Sequence, residues 1–304
     1  MKFPRKILLA LVLVLLFGFL GMKLWRAWST AAAKGSVKEC VRDIEYVPFS
    51  KNPFQTMDFY VPSKARFSPM PVIVWIHGGA WVSGDKNHPP VEVMTARGYA
   101  VASLNYRLSQ DAQHPAQIFD CKAALRFLRA HAKEINIDPN KIGVWGHSAG
   151  GHLAALLATS GDVKELEGEL GNNSFSSRVD CAADWAGPTD LVTIASQAPP
   201  NCKIDFRSPS NPVAVLMGSN QPSPAYLEAS PVQWVSSDDP PIMVLHAQDD
   251  DVVPVGQAKE FCEALKKKSV ATDCQIKAYG GHGLFKPEFV NETMDFFDRT
   301  LGQK

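Results

Sequence analysis

The sequence has no excess of charge of either sign, since 31 Lys and Arg residues offset 31 Asp and Glu residues. A whole-chain electrostatic attraction to nucleic acid is therefore not expected. The chain also lacks internal repeats and low-complexity tracts, which argues against a repeat architecture. The acidic run 249–251 lacks the clustered partners of a metal site, and we expect neither a metal nor another cofactor.

Long apolar runs are scarce as well, and the longest one lies at the N-terminus, where three basic residues precede the uncharged segment 7–22. Its length falls between the core of a signal peptide and a membrane span of about 20 residues. The alanines at 31–33 offer a cleavage site, whereas Trp25 and Trp28 suit a membrane–water interface. We interpret residues 1–33 as a cleaved signal peptide or a signal anchor. Either predicts export of the remaining chain, with membrane contact only through this segment.

Residues 34–304 are enough for one α/β domain with a full hydrophobic core. Apolar, β-branched runs alternate with segments of helical spacing. The predicted strands cover residues 72–76, 99–106, 141–145, 179–186, 241–246 and 274–279. The predicted helices cover residues 116–129, 150–158, 255–268 and 287–300. This alternation predicts a doubly wound, mostly parallel sheet with helices on both faces, and ligands of such sheets bind beyond the carboxyl ends of the strands.

The most informative motif is V-W-G-H-S-A-G-G-H-L at residues 144–153, which places Ser148 in a G-x-S-x-G frame. The frame leaves a β-branched and aromatic run and enters an Ala- and Leu-rich segment, as a nucleophile elbow does. Small residues are needed because a Cβ at Gly146 or Gly150 would clash with the crossing backbone. The pattern predicts a serine nucleophile exposed on a strand-to-helix turn.

Two later strand ends carry the groups that such a serine requires. Strand 241–246 runs into the acidic run Asp249, Asp250 and Asp251, and strand 274–279 ends in a glycine-flanked turn that carries His282. The order serine, acid, histidine is one of the known orders of a catalytic triad. The histidine would serve as the general base and the acid would orient it.

A glycine-rich strand end upstream supplies candidate hydrogen-bond donors. The buried-strand pattern at 72–76 runs into H-G-G-A-W, and glycines there allow backbone N–H groups to point into a cavity. Acyl transfer needs donors aimed at the oxygen that becomes negative. We predict an oxyanion hole formed by the N–H groups of Gly78, Gly79 and Ala149.

From about Asp58 to Gly283 the chain resembles α/β-hydrolases of the hormone-sensitive-lipase-like and feruloyl- or acetyl-esterase-like (BD-FAE-type) group. The matching segments include H-G-G-A-W-V-S-G-D-K (77–86), L-N-Y-R-L-S (104–109), G-H-S-A-G-G-H-L-A (146–154), D-W-A-G-P-T-D-L (184–191) and D-D-V-V-P (250–254). The resemblance implies an α/β-hydrolase fold. It also implies a serine carboxylester hydrolase for small acyl or aryl esters, including acetylated or feruloylated carbohydrates.

The resemblance also bears on the triad acid. Aligning His246 and Pro254 with the family pattern H-G-x-x-D-x-x-V-P places the acid at Asp250, although Ala247 stands where glycine is usual. Asp249 and Asp251 remain alternatives. The same H-G-G-A-W segment resembles arylformamidases, and a serine peptidase or a non-catalytic relative of the same fold are further alternatives.

Three residues near predicted loop mouths are candidates for substrate contact: Trp81, His147 and Trp185. Each has a structural alternative, because Trp81 and Trp185 could be core aromatics and His147 could belong to the local turn. Two irregular segments, 165–178 and 195–226, are rich in Pro, Ser, Asn and Gly. We expect them to form a small cap or rim loops that select the substrate.

The six cysteines could pair in an oxidising compartment. Cys262–Cys274 would tie a predicted helix to the strand that follows it, and Cys181–Cys202 is a second plausible bridge. Cys121 lies on a predicted helix and is expected to be a buried, unpaired thiol.

Overall fold

The computed structural model describes residues 35–302. The predicted leader, residues 1–33, lies outside the described residues. Among residues 35–302, no helix combines the length and the apolar character needed to cross a membrane.

One sheet contains the eight strands of the described chain, in the order β1-β2-β4-β3-β5-β6-β7-β8. The strands are β1 Val37–Glu45, β2 Thr56–Pro62, β3 Met70–Ile76, β4 Ala100–Leu104, β5 Ile137–His147, β6 Cys181–Trp185, β7 Ile242–Ala247 and β8 Thr272–Lys277. β2 pairs antiparallel with β1 and β4, and every other pair is parallel. The prediction of a mostly parallel sheet is confirmed.

Helices cover both faces of the sheet, as the alternating pattern predicts. They are α1 Val91–Ala96, α2 Ala116–Ala130, α3 Ala149–Thr159, α4 Ile194–Gln197, α5 Pro212–Met217, α6 Pro224–Glu228, α7 Gly256–Lys267 and α8 Pro287–Thr300. The apolar residues of α2, α3 and α7 join one core cluster, and those of α1 and α8 join a second one on the opposite face. The fold is therefore doubly wound.

Burial of the central strands on both faces explains why continuous apolar runs in the sequence predict strands. β3 is M-P-V-I-V-W-I, and all of its residues are buried. A parallel strand covered by helices on both faces needs apolar side chains on both sides, so it reads as a continuous apolar run and not as an alternation. Strand β1 at the sheet edge is mostly exposed, and its polar sequence gives no comparable signal.

Of the two predicted disulfide bridges one is correct and one is wrong, and the prediction of a buried thiol is correct. Cys262 and Cys274 form a disulfide that ties α7 to β8. Cys181 and Cys202 are both free, so the second predicted bridge is wrong. Cys181 lies at the start of β6 beside Thr300, whereas Cys202 lies near the loop that follows β7 at the other end of the sheet. Cys121 is a buried thiol, as expected.

The two irregular segments have different places in the fold. The connection from β6 to β7 carries the short helices α4, α5 and α6, and it reaches the nucleophile helix α3 through a 2.7 Å hydrogen bond from His152 Nε2 to Ala229 O. We call residues 186–235 the cap. Segment 165–178 is instead tied to α2, because Glu167 accepts hydrogen bonds from Lys122 and Arg126.

Candidate active site

Ser148 lies on the turn between β5 and α3, with φ 59° and ψ −122°. This left-handed backbone is strained for a residue with a Cβ, and such strain concentrates at functional sites. The turn also requires close approach of its neighbours. A Cβ on Gly146 would lie 2.0 Å from Gly150 O, and a Cβ on Gly150 would lie 2.0 Å from Ile76 O. The predicted need for glycine at both positions is confirmed.

His282 connects the serine to a carboxylate. Its Nε2 lies 2.9 Å from Ser148 Oγ, and its Nδ1 lies 2.9 Å from Asp250 Oδ2. These contacts join residues 134 and 32 positions apart in the chain, across the ends of β5, β7 and β8. The structure thus brings Ser148, His282 and Asp250 into one hydrogen-bonded row.

Among the three consecutive aspartates, only Asp250 contacts His282 within the described chain. Asp249 Oδ1 accepts the N–H of Gly281 at 2.8 Å, and Asp251 forms an ion pair with Lys203 at 2.8 Å. The side chain of Asp250 has no exposed surface. Burial works to raise its pKa, but the charge of His282 and the hydrogen bonds from His246 and His282 hold that pKa well below its usual range.

The glycine-rich loop after β3 lies against the nucleophile. A Cβ on Gly78 would lie 2.7 Å from His147 O and 3.3 Å from Ser148 Cβ. Gly79, Ala80 and Trp81 all have positive φ, of 119°, 56° and 57°. Ala149 is the first residue of α3, where N–H groups have no acceptor within the helix. This geometry turns the loop backbone and the helix N-terminus toward Ser148.

Buried polar contacts hold this loop in place. Lys86, at the end of the loop segment, pairs with Asp58 and Asp43 at 2.7 Å each. Its backbone N–H donates to Asn105 Oδ1 at 2.7 Å. Asp58 comes from β2 and Asp43 from β1, so the two strands that the sequence did not predict brace the loop.

Two of the three residues considered for substrate contact lie in the core. Trp185 has no exposed surface, and its Nε1 donates to Thr293 Oγ1 of α8 at 3.0 Å. Trp81 is 3% exposed and donates its Nε1–H to His152 Nδ1 at 3.2 Å. The ring of Trp185 lies on the α8 face of the sheet, while its backbone O accepts the N–H of Ser148 at 2.8 Å.

The third residue, His147, has a different position. Its Nε2 donates to His282 O at 2.6 Å, and its ring packs at 4.9 Å from the ring of His282. Burial and the neighbouring His282 lower the pKa of His147 to about 3, so its ring is neutral at physiological pH. The side chain therefore supports the loop that carries His282.

The cap contains a cavity of about 230 Å³. Its walls are mainly apolar, and its polar lining residues are Arg207, Asn211, Asn220 and Gln221. Leu191, Phe206 and Tyr226 contribute buried walls. None of Ser148, Asp250 and His282 lines it.

A doubly wound sheet with an elbow serine, a histidine and a carboxylate at three strand ends defines the α/β-hydrolase class of proteins. The chain matches the BD-FAE family over residues 57–265 and belongs to that family. The match spans the elbow, the glycine-rich loop, the cap and Asp250.

Curated relatives are similar over the same region. The chain is 34% identical to the probable carboxylic ester hydrolase LipM of Mycobacterium tuberculosis, over 66% of this chain and 46% of LipM. It is 31% identical to the esterase LipC of the same organism, over 78% of this chain and 59% of LipC. The chain thus spans about half the length of these relatives.

Solved structures with the same fold superpose on a larger share of this chain than the curated relatives align to. A truncated form of a carbohydrate esterase from gut microbiota superposes with a TM-score of 0.81 and 30% identity, covering 89% of this chain and 99% of that one. An acetyl ester-xyloside bifunctional hydrolase from Caldicellulosiruptor lactoaceticus superposes with a TM-score of 0.67 and 29% identity, covering 83% of this chain and 92% of that one.

Proposed function

We propose that this protein is a serine carboxylester hydrolase that cleaves small acyl or aryl esters through an acyl-serine intermediate. The observation that carries the proposal is the row of two 2.9 Å contacts from Ser148 Oγ through His282 to Asp250 Oδ2. Both lie within the distance range that proton transfer between a nucleophile and its base requires.

The mechanism follows from proton accounting. His282 Nε2 takes the proton of Ser148 Oγ as the oxygen attacks the ester carbonyl, because a neutral hydroxyl is a poor nucleophile. Asp250 holds the imidazole in the correct tautomer and stabilises the imidazolium. The N–H groups of Gly78, Gly79 and Ala149 stabilise the oxyanion of the tetrahedral intermediate.

Collapse of that intermediate releases the alcohol, which receives the proton from His282. Water then attacks the acyl-serine while His282 again acts as the base. Breakdown of the second intermediate releases the carboxylic acid and restores the free serine. The reaction consumes one water and needs no external electron donor or acceptor.

The proposal also covers the class of ester that the protein cleaves. We infer acetylated or feruloylated carbohydrates and other small acyl or aryl esters as substrates. The similar solved structures are named as a carbohydrate esterase and an acetyl ester-xyloside hydrolase, which supports this choice. The named relatives are ester hydrolases, so ester cleavage is favoured over cleavage of an N-formyl amide or a peptide.

A substrate series tests the proposal. The full chain should hydrolyse p-nitrophenyl esters with a preference for short acyl groups, and it should act on acetyl-xylan or feruloyl esters more efficiently than on N-formylkynurenine. Ser148→Ala should abolish these activities without a change in the circular dichroism spectrum. Full activity of Ser148→Ala on the preferred substrate would exclude the assigned nucleophile.

We also propose that the catalytic domain is exported. The basic residues before the apolar segment 7–22 support this proposal. The disulfide between Cys262 and Cys274 also supports it, since such bridges persist in oxidising compartments. After bacterial expression of the full chain, protease added to intact spheroplasts should digest the domain. Digestion only after lysis would contradict export.

A further inference from the structure

Four donors surround the carboxylate of Asp250, and one of them is the side chain of a residue outside the triad. Oδ1 accepts the N–H groups of Val252 at 2.8 Å and Val253 at 2.9 Å. Oδ2 lies 2.9 Å from His282 Nδ1 and 3.1 Å from His246 Nε2. Two imidazoles therefore share the oxygen that orients His282.

The contacts of His246 determine which of its ring nitrogens carries the hydrogen. Its Nε2 faces two acceptors, Asp250 Oδ2 at 3.1 Å and Val253 O at 3.0 Å, so this nitrogen must carry the hydrogen. Its Nδ1 is buried and has no partner among the described residues. A proton there would be a buried donor without an acceptor, which is costly. The single N–H of the ring therefore lies between Val253 O and the catalytic carboxylate, within reach of both.

We propose that His246 is a positioning residue of this hydrolase, which fixes the plane of the Asp250 carboxylate and lowers the affinity of the His282–Asp250 pair for a proton. The inference rests on the proposed function, because it concerns the base that the serine uses.

His246 and His282 compete for one oxygen of Asp250. The Nε2–H of His246 draws on the negative charge of Oδ2, the same charge that stabilises a protonated His282. When this donor is absent, the pair holds its proton more tightly, and the neutral base appears only at higher pH. The carboxylate also loses one of the two donors that keep Oδ2 facing His282, so fewer molecules hold a productive geometry.

Other titratable groups surround the pair and stay unchanged in the test. They are Asp184 from β6, His147 from β5, Cys202 of the cap and the Lys203–Asp251 ion pair. A shift that appears only when position 246 changes is therefore attributable to that position.

Two variants of His246 distinguish the effect of its N–H donor from the effect of its packing. In His246→Gln the amide nitrogen lies as many bonds from Cα as Nε2 does, so it can still donate to Oδ2. In His246→Asn the amide nitrogen reaches only as far as Nδ1, so the donor is lost. Both variants bury an amide at the same site, and each serves as the control for the other. His152→Gln is a further control, since His152 is a buried histidine that contacts the cap and Trp81.

The kinetic readout is kcat, KM and the acid limb of kcat/KM with p-nitrophenyl acetate. We expect His246→Asn to lower kcat by about 10- to 100-fold, the range for one hydrogen bond to a charged group, with little change in KM. Its acid limb should move to higher pH. His246→Gln should recover most of kcat and the original limb, and His152→Gln should not move the limb. Equal loss in the Gln and Asn variants, or no change in either, would overturn the proposal.

A second readout does not depend on hydrolysis. The Nδ1 proton of His282 in its bond to Asp250 gives a low-field signal in proton NMR, which reports the protonation of the pair directly. In His246→Asn the chemical shift of this signal should titrate at higher pH than in the wild type, and in His246→Gln it should follow the wild type. If the wild type hydrolyses no ester, the proposed function fails, while this titration still decides the role of His246. An unmoved titration in the Asn variant would overturn that role.

Discussion

The catalytic corner and the cap lie at the same edge of the sheet, yet they are built differently. The corner places its reacting atoms on strand ends and a strained turn, with Ser148, His282 and Asp250 joined by 2.9 Å contacts. The cap consists of three helices of four to six residues, and exposed residues such as Arg207 and Gln221 line the mouth of its cavity. The corner sets the reaction, and we infer that the cap selects the substrate.

The largest effect is expected when the acid of the catalytic corner is replaced. Asp250→Asn should lower kcat by about 10⁴-fold, because an amide cannot hold His282 in the tautomer that accepts the serine proton. Asp249→Asn and Asp251→Asn should each stay within about 10-fold of the wild type, since neither side chain contacts His282. Steady-state kinetics with p-nitrophenyl acetate measures all three. The reverse ranking would show that the acid is misassigned.

The strain of the corner gives the second prediction. Gly146→Ala should destabilise the protein by about 3 kcal/mol or more, since the new Cβ would lie 2.0 Å from Gly150 O and backbone atoms must move. Urea unfolding followed by tryptophan fluorescence measures the loss. Gly283→Ala is the control, because a Cβ there meets nothing within 4 Å. Equal stability of the two variants would contradict the close packing of the elbow.

A buried carboxylate near the corner gives a pH-dependent prediction. Burial raises the pKa of Asp184 from 3.8 to about 6, against the lowering effect of the hydrogen bond from the Gly187 N–H. The folded state thus binds this proton more tightly than the unfolded state. The corresponding stability is complete below pH 3.8 and is lost as pH rises through about 6.

Asp184→Asn should remove that pH dependence. The wild type should lose about 2 kcal/mol relative to this variant between pH 4 and pH 7, as measured by urea unfolding. Asp184→Ala loses the oxygen that accepts the Gly187 N–H, so it should be less stable than the Asn variant at every pH, with the same flat profile. Parallel profiles for wild type and Asp184→Asn would refute the prediction.

The smallest expected effect concerns the cap. Phe206→Ala enlarges the cap cavity and should change the ratio of kcat/KM for feruloyl and acetyl esters by about 10-fold, with kcat on the acetyl ester nearly unchanged. Trp185→Phe, on the other face of the sheet, should leave the ratio unchanged. If Trp185→Phe changed the ratio and Phe206→Ala did not, the assignment of substrate selection to the cap would be wrong.

The catalytic corner could be predicted from the sequence to a greater extent than the cap. The elbow could be recognised because its glycines and serine are adjacent in the chain, and the apolar runs of β3 and β7 mark buried strands. The helix 287–300 was predicted with the bounds that α8 has. The order of the acid and the histidine then placed the triad residues at the ends of three predicted strands.

Features that depend on distant residues could not be predicted. The contact of His246 with Asp250 depends on how the loop after β7 turns back, and the bracing of Lys86 by Asp58 and Asp43 depends on β1 and β2, which the sequence did not predict. Trp185 was a candidate for substrate contact because it precedes a loop, but strand alternation turns its ring to the α8 face. The cap helices are too short to give a periodic signal.

The most direct test of the central claim is detection of the acyl-serine itself. The full chain is mixed with p-nitrophenyl acetate, quenched in acid within the first turnovers, digested and examined by mass spectrometry. The account predicts one acetyl group on the peptide that contains Ser148, and none on the corresponding peptide of Ser148→Ala. Hydrolysis that proceeds with no acetyl group on Ser148, or with an acetyl group on another residue that forms and decays at the turnover rate, would contradict it.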